Sequence, residues 1–207
     1  MKAKKGRFIT IEGGEGTGKT TLIKNLKEII NSKNIKCCIT REPGGTSIAE
    51  ALRLALVNND LDLDQEIDII SFARSEHVTR LINKELNNGN WVLSDRFFDS
   101  TLAYQALMEP KRFKEIEQYC FLAAGSCIPD LTIWLDLDPK IGLKRAKNKN
   151  KFEEKTLDFH KKLRENFSKI SDIYPQRVIK INIENRNINE VTNLVHSVIR
   201  GRFSEFK

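Results

Sequence analysis

The sequence predicts an α/β fold, a doubly wound parallel five-stranded sheet, and three observations carry that prediction. Short runs rich in β-branched and aromatic residues alternate with helical stretches, and this alternation implies parallel strands joined by right-handed crossovers. Between the first two runs, Leu22, Leu26, Ile29 and Ile30 recur at the spacing of an amphipathic helix lying on a sheet. A glycine-rich stretch, residues 13–18, separates the first run from that helix.

Taken in order, the strand candidates are RFITIE (7–12), IKCCIT (35–40), WVLSD (91–95), LTIWLD (131–136) and RVIKIN (177–182). Helical patterns fit 46–57, 65–88, 99–107, 112–125, 139–147, 154–172 and 187–199. The stretch KRAKNKNKFEEK (144–155) is poor in apolar residues and dense in charge. It reads either as a short helical lid or as a solvated helix end, because charge runs commonly form plain surface. No repeat or linker divides the 207 residues, so one domain carrying that lid is expected over 1–207.

With 40% hydrophobic and 30% charged residues, the chain is too apolar for a disordered protein, and it lacks an apolar run long enough to span a bilayer. The basic start MKAKKGR leads only into FITIE, which does not resemble a secretory signal; a cytoplasmic protein is expected. Cys37, Cys38, Cys120 and Cys127 show no paired metal or redox spacing and read as free thiols. A net charge of +7 suits a polyanion, and nucleic acid and nucleoside triphosphate explain it equally well.

The most specific signal is Gly13-Gly14-Glu15-Gly16-Thr17-Gly18-Lys19-Thr20, which matches GxxxxGK[ST] between a strand and a helix. In such a P-loop the backbone N–H groups converge on phosphate oxygens, and the helix N-terminus adds its positive end. Lys19 then reaches the terminal phosphates, and the Thr20 hydroxyl binds Mg²⁺. ATP and Mg²⁺ are therefore the expected ligands. The strings nearest to a guanine-reading NKxD motif, Asn83-Lys84-Glu85-Leu86 and Asn150-Lys151-Phe152-Glu153, lack the aspartate. A chain of this length with several arginines between strands reads as a kinase for a small acceptor rather than a GTPase or motor ATPase.

Two segments face the P-loop from neighbouring strand ends: Thr40-Arg41-Glu42-Pro43-Gly44-Gly45-Thr46 after the second strand, and Ser94-Asp95-Arg96 through Thr101, Tyr104 and Gln105 after the third. Together with Phe72-Ala73-Arg74-Ser75-Glu76-His77, they resemble the bacterial-type thymidylate kinases, from about residue 7 to residue 160. The resemblance implies transfer of the ATP γ-phosphoryl to dTMP for dTTP synthesis, no nucleic-acid or membrane partner, and a homodimer through the long helices.

On matching positions, the resemblance implies that Glu15 lies against the deoxyribose or acceptor phosphate and that Arg41, Arg53 and Arg96 surround that phosphate. Pro43 and Tyr104 join the acceptor pocket; Arg74, Thr101 and Gln105 read the base. Asp95 supports Mg²⁺ through its water shell. Lys19, Arg96 and a lid cation carry the transition-state charge. Judged by residue type alone, Arg53 equally fits a helix-surface pair, Phe72 and Tyr104 fit core positions, and His77 fits a packed polar residue.

The chain departs from the family twice. The family's thymine-stacking Phe, four residues before the arginine, is Ile70 here, with Phe72 two residues further on. The family's arginine-rich lid reduces to Arg145, with Lys147, Lys149 and Lys151 as further cations and as monodentate substitutes. Two other readings stay open: a nucleoside monophosphate kinase with an altered base pocket, and a nucleotide-binding protein without transfer activity.

Overall fold

The computed structural model describes residues 6–146 and 154–206. The strands are β1 (Phe8–Glu12), β2 (Cys37–Arg41), β3 (Trp91–Asp95), β4 (Leu131–Asp136) and β5 (Val178–Asn182). They form one sheet in the order β2-β3-β1-β4-β5, every pair parallel. The helices are α1 (Lys19–Ser32), α2 (Ser47–Asn58), α3 (Leu63–His77), α4 (Asn83–Asn87), α5 (Phe98–Thr101), α6 (Phe113–Ala124), α7 (Pro139–Arg145), α8 (Leu157–Ile173) and α9 (Ile188–Arg202).

The period-two alternation of the strands divides the core between two faces. Ile9, Ile11, Leu93, Leu131, Ile133 and Leu135 pack against Leu22, Leu26 and Ile30 of α1 and Val195 and Ile199 of α9. On the opposite face, Phe8, Val92 and Trp134 meet Ile67 of α3, Ile116 and Cys120 of α6, and Leu163 and Phe167 of α8. Towards the carboxyl ends of the strands this second face turns polar. Thr10, Glu12, Ser94, Thr132 and Asp136 are all buried there, so that edge is built for hydrogen bonding rather than apolar packing.

The chain leaves β1 towards β2 and β3 and later returns to the other side for β4 and β5, which makes the end of β1 a topological switch point. The loops after β1, β2 and β3 meet above it.

Two expected helices are interrupted. The 65–88 pattern is α3, a π-helical turn at Val78–Ile82, and α4; the 99–107 pattern is α5 followed by a π-helical turn at Leu102–Ala106. A single inserted residue leaves the apolar periodicity nearly intact, so the sequence pattern does not register it, yet it re-aims the side chains beyond. Helix α7 ends at Arg145 and α8 begins at Leu157, capped by the Thr156 side chain on the Phe159 N–H. Most of the expected lid, including Lys147, Lys149 and Lys151, lies outside the described residues. Among the described residues, no helix is long and apolar enough to cross a membrane.

Candidate functional site

The loop after β1 closes by its own hydrogen bonds. Lys19 Nζ, buried, donates to the carbonyls of Gly13 (3.1 Å) and Gly14 (2.9 Å), and Thr17 Oγ1 donates to Gly14 (3.0 Å). Gly16 has φ 66°, and a Cβ there would lie 2.0 Å from the Gly142 carbonyl of α7. Only glycine satisfies both the left-handed backbone and that approach. Gly18, at φ 83°, then turns the chain into α1.

Thr20 at the start of α1 donates to Asp95 Oδ2 at the end of β3 over 2.9 Å, which brings two hard oxygen donors together beside the loop. Among the described residues, no group of three or more His, Cys, Asp or Glu could hold a metal ion.

Above this loop lies an open cavity of about 390 Å³. Glu15, Gly16, Thr17, Gly18, Lys19 and Thr20 form its P-loop wall; Arg41, Pro43 and Arg53 enter from β2 and α2; Asp95 and Arg96 come from β3. Ile70 and Arg74 of α3, with Thr101, Tyr104 and Gln105 beyond β3, complete it. These residues were expected at the phosphate and acceptor sites, and the fold brings them to one wall although they span some ninety positions of sequence.

Arg96 takes φ 73°, a left-handed backbone rare for a non-glycine residue. Its guanidinium donates to Glu15 Oε1 (2.8 Å), Gly13 O (3.0 Å) and Ser100 Oγ (3.0 Å) and lies over the Tyr104 ring. The Tyr104 hydroxyl donates to the same Glu15 oxygen at 2.9 Å. Burial alone would raise the Glu15 carboxyl, but Arg96, Lys19 and the Tyr104 hydrogen bond outweigh it and hold it at about 2. Burial and the neighbouring Arg96 lower the Lys19 ammonium from its ordinary value. The cradle thus concentrates positive charge with little water to screen it, the condition under which an incoming phosphate is bound most strongly.

At the α3 side, Arg74 is 2% exposed. It donates through Nε to Glu42 (2.9 Å) and through Nη2 to Thr101 Oγ1 (2.9 Å), whereas Nη1 has no hydrogen-bond partner. Gln105 Nε2 donates to Glu66 (3.0 Å), and its buried Oε1 likewise has no hydrogen-bond partner. Arg74, Thr101 and Gln105 share one cavity wall, and polar side chains so grouped select a ligand by complementary hydrogen bonding.

Arg41 reaches Glu50 through two bonds (3.1 and 2.7 Å), and Arg53 Nη1 donates to Pro43 O at 3.3 Å. Both keep N–H groups available to the cavity. Burial and the nearby Arg41 lower the Arg53 guanidinium.

Several expected residues lie elsewhere. Phe72 is 60% exposed and absent from the cavity wall. Two residues are about 200° around a helix, so when Ile70 and Arg74 face inward, Phe72 faces out. Arg145 is exposed at the end of α7 and does not line the cavity. Gly13 and Gly14 contribute carbonyl oxygens to the Lys19 and Arg96 bonds but do not form its wall. His77 is a packed residue, bonded to Thr40 Oγ1 (2.6 Å) and Glu42 Oε1 (3.0 Å). Cys37, Cys38 and Cys120 are free thiols.

Three residues beside the site were not singled out in the sequence: Glu42, which holds Arg74; Ser100, which holds Arg96; and Phe97, whose ring lies under the Arg74 guanidinium. Glu42 stands between Arg41 and Pro43 in a segment that was singled out, and a carboxylate beside a required arginine was its available signal.

A profile of the family described as "Thymidylate kinase" matches residues 11–195. A thymidylate kinase of Magnetococcus marinus is 40% identical over 205 residues, covering 96% of this chain and 97% of that one. One from Clostridium novyi is 37% identical over 95% of this chain and 98% of its own. The crystal structure of thymidylate kinase from Ehrlichia chaffeensis superposes with a TM-score of 0.74 at 30% identity, over 95% of this chain and 99% of that one. With a P-loop, an arginine-lined cavity and near full-length similarity in agreement, the chain belongs to the thymidylate kinase family.

Proposed function

We propose that this chain transfers the γ-phosphoryl group of ATP to dTMP, giving dTDP and ADP for dTTP synthesis. The single observation that carries the reading is the continuity of one cavity from the P-loop to Arg74 and Gln105, which bring a guanidinium donor and an amide acceptor to its far wall. Thymine offers the complement, a carbonyl oxygen beside a ring N–H, for a donor and an acceptor respectively. Ile70 with Leu56 supplies an aliphatic wall for the ring, where the family places a stacking Phe.

In this reading Arg41, Arg53 and Arg96 hold the acceptor phosphate, and Glu15 and Tyr104 fix the Arg96 guanidinium in place. The acceptor oxygen is already anionic, so no general base is required; the chain's contribution is positioning and neutralisation of charge on the moving phosphoryl group. Lys19 exchanges its carbonyl partners for the β- and γ-phosphates. The Thr20 hydroxyl and the Asp95 carboxylate, 2.9 Å apart, are the hard oxygen donors that would hold Mg²⁺. When bound, the ion neutralises charge on the ATP phosphates. Arg145 at the end of α7, with the 144–155 segment as lid, supplies a further cation on closure.

The chain is read as one kinase domain acting in the cytoplasm, with small-molecule substrates and no nucleic-acid partner. Leu54, Phe72 and Leu122, exposed on the neighbouring helices α2, α3 and α6, support a homodimer through that face.

An ADP-release assay with dTMP, dUMP, dGMP and AMP tests the reading. dTMP is expected to give the highest kcat/KM. A different best acceptor would overturn the base assignment, and ADP release independent of any acceptor would overturn the transferase.

A further inference from the structure

We infer that Glu12, which lines no part of the cavity, is the positioning residue that holds Arg96 in its working conformation by bridging the backbone after it and the serine that grips its guanidinium. The inference rests on the acceptor-phosphate role proposed for Arg96.

Glu12 is the last residue of β1 and is 0% exposed. A carboxyl group at that depth is retained only where hydrogen bonds replace its water. Its Oε1 accepts the Phe97 N–H at 2.7 Å, and its Oε2 accepts the Ser100 hydroxyl at 2.6 Å. Ser100 Oγ in turn accepts Arg96 Nη1 at 3.0 Å.

The residues on either side complete the grip. Ile11 O accepts the Arg96 backbone N–H at 3.0 Å, and Gly13 O accepts Arg96 Nη1 at 3.0 Å. Three consecutive residues of β1 and the P-loop therefore hold a left-handed arginine at φ 73°, a conformation that persists only when its surroundings over-determine it. The same strand end that launches the phosphate cradle also sets the cation that faces it, so the two are registered to each other by covalent continuity.

Burial and the neighbouring Asp99 raise the Glu12 carboxyl to about 8, against the pull of Ser100, Arg96 and the Phe97 N–H. Lys19 of α1, Arg74 of α3 and Arg177 before β5 face it as further charges. Protonated on Oε2, the carboxyl would donate to Ser100 Oγ while Oε1 still accepted Phe97, so both states span the same two partners. Reach, rather than charge, is therefore what Glu12 supplies.

Reach is tested by shortening the side chain in a double-mutant cycle with Arg96. Glu12→Asp keeps the carboxylate but cannot touch both partners, and it is expected to lower kcat about 10- to 100-fold, the effect of misplacing a catalytic group by about 1 Å. The KM for ATP is expected to stay within about twofold, as for an interaction made mainly in the transition state. In an Arg96→Ala background the same change is expected to cost less than about threefold. Glu12→Gln, which spans both partners, is expected to stay within about fivefold of the parent, since the reach is kept.

Equal losses from Glu12→Asp with and without Arg96 would overturn the inference, as would a Glu12→Gln loss as large as that of Glu12→Asp. If Glu12→Asp fails to fold, by circular dichroism, Ser100→Ala is run through the same cycle and the same non-additivity decides. Arg96→Ala alone turning over near the parent rate would instead remove the acceptor-phosphate reading itself, so the two failures are distinguishable.

Discussion

Lys19 donates to three acceptors of its own loop, the Gly13 and Gly14 carbonyls and Thr17 Oγ1, and in the proposed reaction it exchanges them for the terminal phosphates. Removing it leaves the glycine turn but no ammonium. Lys19→Ala is expected to lower kcat roughly a hundredfold or more with an unchanged circular dichroism spectrum, the effect of losing one preorganised charge at the reacting group. A near-parental kcat would sink the assignment of the cradle. Glu15 makes a different kind of prediction, about pH. Its carboxyl titrates at about 2 in the folded chain against an ordinary 4.5. The unfolded chain therefore takes up that proton first as pH falls. The stabilisation is complete above about 4.5 and is lost between there and about 2, on the order of 3 kcal/mol in all. Thermal melts of Glu15→Gln are expected to show a flatter Tm against pH across that window; a parallel, displaced curve would show that Glu15 is not the titrating group.

Helix α7 meets the P-loop backbone to backbone: a Cβ on Gly142 would lie 2.3 Å from the Glu15 carbonyl. Backbone atoms cannot swing aside as a side-chain end can, so Gly142→Ala displaces the whole helix that carries Arg145. The expected result is a loss of about tenfold or more in kcat/KM for ATP with the sheet core intact, since the displaced helix touches the phosphate loop rather than the centre of the fold. Unchanged kinetics would mean that α7 merely covers the loop. The π-helical turn Leu102–Ala106 is the second element that shapes the site. It closes with a Leu107 N–H to Leu102 carbonyl bond of 3.0 Å, and Asn166 of α8 donates to the Ala103 carbonyl at 2.9 Å. A turn of that width carries Tyr104 and Gln105 to the cavity, and α8, which follows the 147–153 segment, anchors it from behind.

For the molecule as a whole, the two-faced sheet accounts for nearly all of the buried apolar residues, and what remains outside is telling. Leu54, Phe72 and Leu122 are 61%, 60% and 78% exposed on α2, α3 and α6, which pack side by side. Three large apolar side chains exposed on adjoining helices fit the homodimer proposed above. Sedimentation is expected to give a dimer for the parent chain and a monomer for Phe72→Asp combined with Leu122→Asp, with ATP binding retained in both. A monomeric parent would remove the homodimer. A net charge of +7 fits the clustering of Arg41, Arg53, Arg96 and Lys19 at one cavity for two phosphorylated ligands.

The sequence placed the five strands nearly to the residue, because the three central ones are buried on both faces and read as short apolar runs that are hard to mistake. It also determined the P-loop, whose glycines, Lys19 and Thr20 are contiguous and whose strand and helix flank them directly. The cavity was legible chiefly where its residues stood in contiguous segments, as with Asp95, Arg96, Thr101 and Gln105, whereas Arg53 rested on the family resemblance alone. The tertiary structure decided the rest. It turned Phe72 outward and Ile70 inward, because a helix two residues on presents its other side. It placed π-helical turns where periodicity showed plain helix. It brought Glu42 to Arg74 and Glu12 to Phe97 and Ser100, pairings separated by 32 and by 85 and 88 residues. Local pattern reports which backbone a segment adopts; which buried carboxylate meets which donor depends on strand order and on the loops that return to the same sheet edge, and no local signal in the chain encodes that.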